Sequence, residues 1–366
     1  MKIGKIDNET LERLVLRRTG AARSEVIVGP GIGEDCAVLD FGEYECVLST
    51  DPITAGASRV GELAVHISCN DVASNGVEPM AVMLTVLLPP SVTEDEVGEI
   101  ARQADAAAKE LGVQIIGGHT EITDVVTQPV ISAVAIGRAT KRANIADGAA
   151  TGFETASGKE PERTTRSLAA QGGTARFDKR MPAIGGVAPG DLIGVTKKLA
   201  LEGTALAVEK RERELRPYLT DEEIEHAKAM INEVSVVKEG VIAGRIGVKA
   251  MHDVTEGGAL GAVWEICAHA GTGAELEAGA LPFDEVTMTV CAVLGLDPMR
   301  LISSGSMMII GSKDQWDALD IKLAEAGIGA SVIGRVTEAE HGITLIMKNG
   351  EREAVGPPGP DEIYKV

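Results

Sequence analysis

The first polar–apolar pattern, at residues 8–19, carries acidic side chains early and arginines late, as a helix macrodipole favours, with Gly20 as its stop. Apolar runs at 36–39 and 46–50 then predict two short strands. Residues 59–74 predict a helix whose apolar positions include Leu63, Ala64, Ile67 and Val72. The apolar stretch 81–88 predicts a strand that Pro89-Pro90 ends. Thr93 with Glu96 three residues later is a capping signature, and it opens an alanine-rich helix to Leu111 with Gly112 at its end. Strands are predicted again at 113–116 and 130–136, so two β–α–β-like passages fill the first 140 residues.

Residues 141–185 break the pattern. The run GAATGFETASGKEPERTTRSLAAQGGTARFDKR has no apolar periodicity and more basic than acidic side chains. It reads as a surface insertion or an interdomain connection, with a basic substrate lid as the alternative. Order resumes at Pro189-Gly190-Asp191, a turn feeding a strand at 192–195. Helices are predicted at 202–213, 221–243, 258–270 and 315–326, and strands at 248–251, 274–276, 306–310, 330–333 and 343–347. The expected division is an N-terminal domain at 1–140, the insertion or linker at 141–185, a C-terminal domain at 186–350 and an extended Pro/Gly-rich tail at 351–366.

Composition narrows the function. The 366 residues are 44% hydrophobic and 25% charged, which suits two domains with cores of their own. The net charge of −20 leaves no cationic surplus for phosphate backbones, and 2% aromatics leave little for stacking bases, so nucleic acid is not an expected partner. An acidic protein still binds an anion when metal ions stand between the two. The five cysteines are widely spaced with no CxxC pair, so neither a zinc site nor a disulfide framework is signalled. With no signal-peptide-like run and no apolar stretch of membrane-spanning length, a cytoplasmic protein that engages no membrane is expected.

The candidate chemistry is carboxylate-rich. Gly31-Ile32-Gly33-Glu34-Asp35-Cys36 is a glycine loop closing on two acids before a strand, compatible with a hard-cation site and equally with a solvated turn. Asp51 follows Ser49-Thr50 at the end of an apolar strand, and Asp71 follows Cys69-Asn70 in a mostly apolar helix. A buried carboxylate there needs a partner or a metal, and a hydrogen-bonded structural Asp serves as well. Gly117-Gly118-His119-Thr120-Glu121 sits after an apolar run, where ligands gather at strand ends in α/β sheets. Met251-His252-Asp253-Val254-Thr255-Glu256-Gly257-Gly258 repeats the logic in the second half, and a helix opening at the two glycines offers free N–H groups to an anion. Cys36 is read as packing, and His66, His226, His269 and His341 as structural or solvated.

Taken in order, these clusters resemble the superfamily of aminoimidazole ribonucleotide synthetase, thiamine-monophosphate kinase, selenophosphate synthetase and the hydrogenase maturation factor E. GIGEDCAV is similar to the kinase loop; STD, ND with SNGVEPMA, GGHTE, PGDLIGVT and AMHDVTEGG are similar to superfamily landmarks. GLDPMRLISSGSMMIIG looks like the maturation factor. The resemblance implies a two-domain PurM-like fold, with an α/β N-terminal domain that dimerises through its β-sheet and a C-terminal α+β sandwich. It implies ATP held through Mg²⁺, with Asp35, Asp51, Asp71, Asp253 and Glu256 as metal ligands. Gly33, Thr50, Asn70, Gly117, Gly118, His119, Thr120, Thr255, Gly257 and Gly258 are the nucleotide-side contacts it implies. The implied activity is phosphoryl transfer from ATP to an amide-type or other oxygen, on a small molecule or a carrier protein, in a cytoplasmic homodimer.

The departures set the alternatives. His119 stands where kinase and maturation-factor relatives carry Asp, although GGHT also occurs in selenophosphate synthetases. The sequence ends Asp361-Glu362-Ile363-Tyr364-Lys365-Val366, without the terminal cysteine of the maturation factor, and nothing before Cys36 matches the selenophosphate synthetase thiol. A small-molecule kinase and an ATP-binding maturation partner without turnover are the alternatives.

Overall fold

The computed structural model describes residues 4–54, 58–140 and 186–366, so the insertion read at 141–185 lies outside the described residues. The segment expected to be one helix at 8–19 is a short helix α1 (Asn8–Leu11) continued by a wider π turn at Glu12–Leu16. The first sheet contains β1 (Val26–Val28), β2 (Ala37–Asp40), β3 (Tyr44–Ile53), β4 (Pro79–Leu88), β5 (Gln114–Ile122) and β6 (Val130–Thr140), in the order β1-β2-β3-β6-β4-β5. Helix α2 (Val60–Ser74) links β3 to β4, and α3 (Glu94–Leu111) links β4 to its parallel neighbour β5. Strand β6 lies antiparallel between β3 and β4, so both crossovers are of β–α–β type. The capping box at Thr93 and the left-handed Gly112 bound α3 as the sequence predicts.

Every residue of α2 except Glu62 is buried. A helix apolar on all sides is enclosed on all sides. It packs against α3, β3 and β6 of its own half and against the second half of the chain.

The second sheet contains β7 (Leu192–Thr196), β8 (Ala250–Asp253), β9 (Gly273–Glu277), β10 (Met307–Gly311), β11 (Ala330–Thr337), β12 (Ile343–Ile346) and β13 (Arg352–Ala354), in the order β13-β12-β9-β11-β7-β10-β8. Its helices are α4 (Leu201–Leu215), α5 (Asp221–Ala229), α6 (Val237–Ile246), α7 (Gly258–Ala270), α8 (Glu285–Leu294) and α9 (Lys313–Glu325). Strand β10 is buried along its length, and its alternation divides two cores: Met308 and Ile310 pack with α7 residues, Met307 and Ile309 with Trp316, Leu319 and Leu323 of α9.

The helix expected at 221–243 is two helices. Between them, Asn70 takes the backbone at Val234 and Val236, while the Lys197 ammonium takes the carbonyls of Glu233 and Ser235. Groups that would continue a helical ladder are thus bound by side chains. The two halves meet where α6 lies on α2: a Cβ at Gly240 would collide with the Ala73 backbone, and one at Gly244 with Gly76. This close approach brings edge strand β8 beside α2 and creates the junction at which the acidic motifs converge.

Candidate functional site

Asp35 ends the glycine loop before β2, Asp51 lies on β3, Asp71 on α2 and Asp253 at the end of β8. Asp71 is 4% exposed, and its Oδ2 accepts from Ser49 Oγ at 2.5 Å. The Asp51 and Asp71 carboxyls are close enough to shift one another's ionisation. Asp253 is 1% exposed, yet neither of its carboxylate oxygens has a hydrogen-bond partner. A buried carboxylate without donors is expensive unless it meets a cation.

The charges respond to this crowding. Burial, then Asp253, Asp51 and Asp35, hold the Asp71 carboxyl well above its ordinary range. Burial and Asp35 raise Asp253 to about 7. Burial also raises Asp51, against the opposing pull of Lys5. Carboxylates that oppose one another's ionisation form a strong sink for a divalent ion, and hard cations take such oxygen donors.

His252, next to Asp253 on β8, is a further member of the group. One ligand atom from each of Asp35, His252 and Asp253 falls within 4.8 Å of the others. His252 Nδ1 lies 2.7 Å from the Asp253 carbonyl and 3.4 Å from Asp35 Oδ2, and Nε2 lies 3.0 Å from Glu265 Oε2 on α7. A carbonyl only accepts, so Nδ1 carries a proton; a carboxylate on Nε2 calls for the second. Burial works against the charged ring, but Asp35 and Glu265 outweigh it and raise its pKa to about 10. Burial opposes the charge of Glu265 as well, but the hydrogen bond and the charge of His252, with the charge of Lys5, together outweigh it and hold that carboxyl low. His252 is therefore an imidazolium clasp between the halves, which leaves the carboxylates as the groups that could hold a metal. Beside it, burial and then Asp35 raise Glu34 to about 7, with His269 Nδ1 3.6 Å away. His269, read as structural or solvated, lies at this junction.

Several implied nucleotide contacts are engaged elsewhere. Asn70 is fully buried; its amide donates to Val234 O at 2.8 Å and accepts from Val236 N at 2.8 Å. It pins the second half to α2, with both amide atoms already engaged in backbone hydrogen bonds. The helix start at Gly257-Gly258, expected to cradle an anion, already holds one: Gly257 N donates to Asp361 Oδ2 at 2.7 Å, and Gly258 N to Thr255 O at 3.1 Å. Asp361 also accepts from Ile302 N at 3.1 Å and Ile363 N at 2.8 Å, so the tail is docked, not loosely extended. The tail also forms β13 and a 3-10 turn at Glu362–Lys365. Tyr364 donates to Glu256 Oε1 at 2.9 Å, which gives this proposed ligand a protein partner. Thr50 Oγ1 lies 3.2 Å from Ser132 Oγ, and Gly33 faces α7 with positive φ.

Gly117, Gly118, His119, Thr120 and Glu121 lie within β5, not after its end, and the whole strand is exposed. His119 Nε2 pairs with Glu121 Oε2 at 3.3 Å on the same strand. Gly118 is required there because a Cβ would overlap the Leu84 backbone. Cys36 is packing, as expected: it is buried, its Sγ donates to Asp71 O at 3.2 Å, and burial pushes its thiol well up. Sequence reasoning missed His252 and Glu265 as members of the site, whereas Glu34 stood with Asp35 in the glycine loop it singled out. His252 stood inside the quoted motif, but its partners are on other elements.

Residues 33–139 match the model of the AIR synthase related protein N-terminal domain, and residues 188–346 match that of its C-terminal domain. The chain is 24% identical over 371 residues to a putative hydrogenase expression/formation protein of Methanocaldococcus jannaschii, covering 99% of this chain and 97% of that protein. It is 28% identical over 354 residues to the carbamoyl dehydratase HypE of Rhodobacter capsulatus, covering 94% and 89%. The crystal structure of hydrogenase maturation protein HypE in complex with ATP superposes with a TM-score of 0.63 at 20% identity, covering 98% of this chain and 97% of that one. No helix among the described residues is long and apolar enough to cross a membrane. Both of its halves being matched in order, the chain belongs to the AIR synthase related protein family.

Proposed function

We propose that this chain is an enzyme that binds ATP as its magnesium complex at the junction of its halves and transfers a phosphoryl group to an oxygen of its acceptor, an amide-type oxygen in the reading favoured here. The carrying observation is Asp253, 1% exposed with neither carboxylate oxygen hydrogen-bonded and only the His252 ring, 3.9 Å away, as an ion-pair contact among the described residues, beside three further aspartates. Asp35, Asp51, Asp71 and Asp253 would hold Mg²⁺, with Glu256 at the margin. Bound there, the ion would neutralise charge on the phosphates. The relatives support the reading: one is named a carbamoyl dehydratase, and a related fold is known with ATP.

The protein's own part is positioning. Ser49 orients Asp71, and the His252–Glu265 pair holds Asp35 near Asp253. Asn70 fixes the second half against the helix that carries Asp71. His119, Thr120 and the two glycines of β5 fit a surface role better than a place among the clustered acids. With Ile115, Ile116 and Ile122 on that strand and Met80 and Met83 on its neighbour, the exposed face supports a homodimer formed through the first sheet. A cytoplasmic setting and a small-molecule or carrier-protein acceptor complete the reading.

The test is calorimetric titration of ATP into the protein with Mg²⁺ and with EDTA, followed by a metabolite screen for ATP-dependent products. Saturable binding only with Mg²⁺ is expected. Equal binding in EDTA would overturn the metal-mediated reading.

A further inference from the structure

Lys197 follows directly on β7, and its backbone is left-handed, with φ +53°; Ala200, three residues on, has φ +60°. A residue with a β-carbon is strained in that region, and such strain persists where the surroundings over-determine the turn. They do so here. Lys197 N donates to Gly329 O at 2.7 Å, Leu199 N to Pro282 O at 3.0 Å and Ala200 N to Ser303 Oγ at 2.6 Å, while Ser306 Oγ donates to Lys198 O at 2.6 Å. The turn carries the Lys197 side chain inward, where it is 15% exposed. Its ammonium donates to Glu233 O at 2.8 Å and to Ser235 O at 2.6 Å, and it pairs with Glu239 Oε1 at 2.9 Å. Glu239, in the first turn of α6, is itself buried. The three protons of the ammonium thus meet three acceptors.

These acceptors belong to the strip on which the two halves meet. From the other side, Asn70 of α2 bonds to Val234 O and Val236 N at 2.8 Å each, so side chains of the two halves grip alternate residues of 233–236. Helix α6 starts at the next residue and lies on α2 at Gly240, where a Cβ would collide with the Ala73 backbone. Asn70 is the immediate neighbour of Asp71, and Asp253 belongs to the second half. The placement of one aspartate against the other is therefore set through this strip. A pair that only added stability would not require a left-handed lysine; the strained turn aims this side chain at the strip. We propose that Lys197 is a positioning residue for the candidate site: through Glu233, Ser235 and Asn70 it sets where Asp71 stands relative to Asp253. This rests on the reading that Mg-ATP occupies the junction.

The test compares the full chain with Lys197→Met, with the double variant Lys197→Met/Glu239→Gln and with Leu345→Ala, a core change on β12, far across the second sheet from β8. Melting temperature and Mg-ATP affinity are read on the same samples, with binding measured below the transition of each. Lys197→Met keeps the stem but leaves Glu239 buried without its cation, so it should melt lower and bind Mg-ATP about tenfold more weakly. Glu239→Gln removes that lone charge, so the double variant should regain part of the melting temperature while its affinity stays about tenfold down. Leu345→Ala should melt lower with its affinity changed less than about twofold. An affinity that recovers together with the melting temperature in the double variant, or that falls equally in Leu345→Ala, would reduce Lys197 to a stabilising contact and overturn the proposal. So would unchanged affinity in both Lys197 variants. Failure of the unsubstituted protein to bind Mg-ATP would instead overturn the underlying reading.

Discussion

His252 Nδ1 lies 3.4 Å from Asp35 Oδ2, a contact that joins the end of β8 to the loop feeding β2. Glu265 completes the clasp from α7 at 3.0 Å. Removing one partner of such a buried group leaves charge uncompensated. His252→Leu should therefore destabilise the fold by roughly 3–5 kcal/mol. Adding Glu265→Gln should restore part of that loss, because the excess carboxylate goes too. Urea unfolding of the single and double variants reads both effects. A double variant no more stable than His252→Leu would contradict the clasp.

Asn70 separates a structural role from a ligand role. Its amide satisfies Val234 O and Val236 N, both in the segment where the second half turns onto α2. Asn70→Ala leaves two buried backbone groups unpaired, a cost of roughly 2–4 kcal/mol. Denaturant unfolding should show that loss, with Mg-ATP affinity reduced less than in Asp71→Asn. Unchanged stability with lost nucleotide binding would restore Asn70 as a phosphate contact.

Glu202, at the start of α4, gives a pH signature. It is 5% exposed with Oε2 unpartnered, and burial pushes its carboxyl up to about 7. The folded state therefore prefers the protonated acid. That stability is fully present below the ordinary carboxylate pKa and is lost as pH rises through about 7. Glu202→Gln should raise the melting temperature at pH 8 by a few degrees and change it little at pH 5. A variant less stable than the natural chain at pH 8 would show that Glu202 has a cationic partner instead.

The exposed face of the first sheet predicts assembly. Ile116 is 51% and Ile122 64% exposed on edge strand β5. Ile116→Lys should convert a dimer to a monomer in sedimentation equilibrium while leaving the far-UV spectrum unchanged. A variant that stays dimeric would place the interface elsewhere.

Local signals were the legible ones. Thr93, Glu96 and Gly112 bound α3 because caps act within one turn. Which aspartates converge was implied by the resemblance of the ordered acidic motifs to the superfamily, since each motif alone was equally compatible with a solvated turn or a structural Asp. Helix α8 was missed because Val286, Thr287, Thr289, Val290 and Val293 are β-branched; core burial of its inner face and the Asp284 cap override that preference. The break at 230–236 was invisible because its cause, Asn70, lies far away in sequence. The same holds for His252 and Glu265, whose pairing only the assembled β8 and α7 create. The glycine turn misled in another way: its anion is the protein's own Asp361.

The most direct measurement is the affinity of Mg-ATP for Asp71→Asn and Asp253→Asn beside the unsubstituted chain, with melting temperatures taken on the same samples. If the four aspartates hold the metal, both variants lose about tenfold or more in affinity while remaining folded, since neutralising a buried, crowded carboxylate relieves repulsion. Folded variants that bind Mg-ATP as tightly as the natural chain would contradict the account.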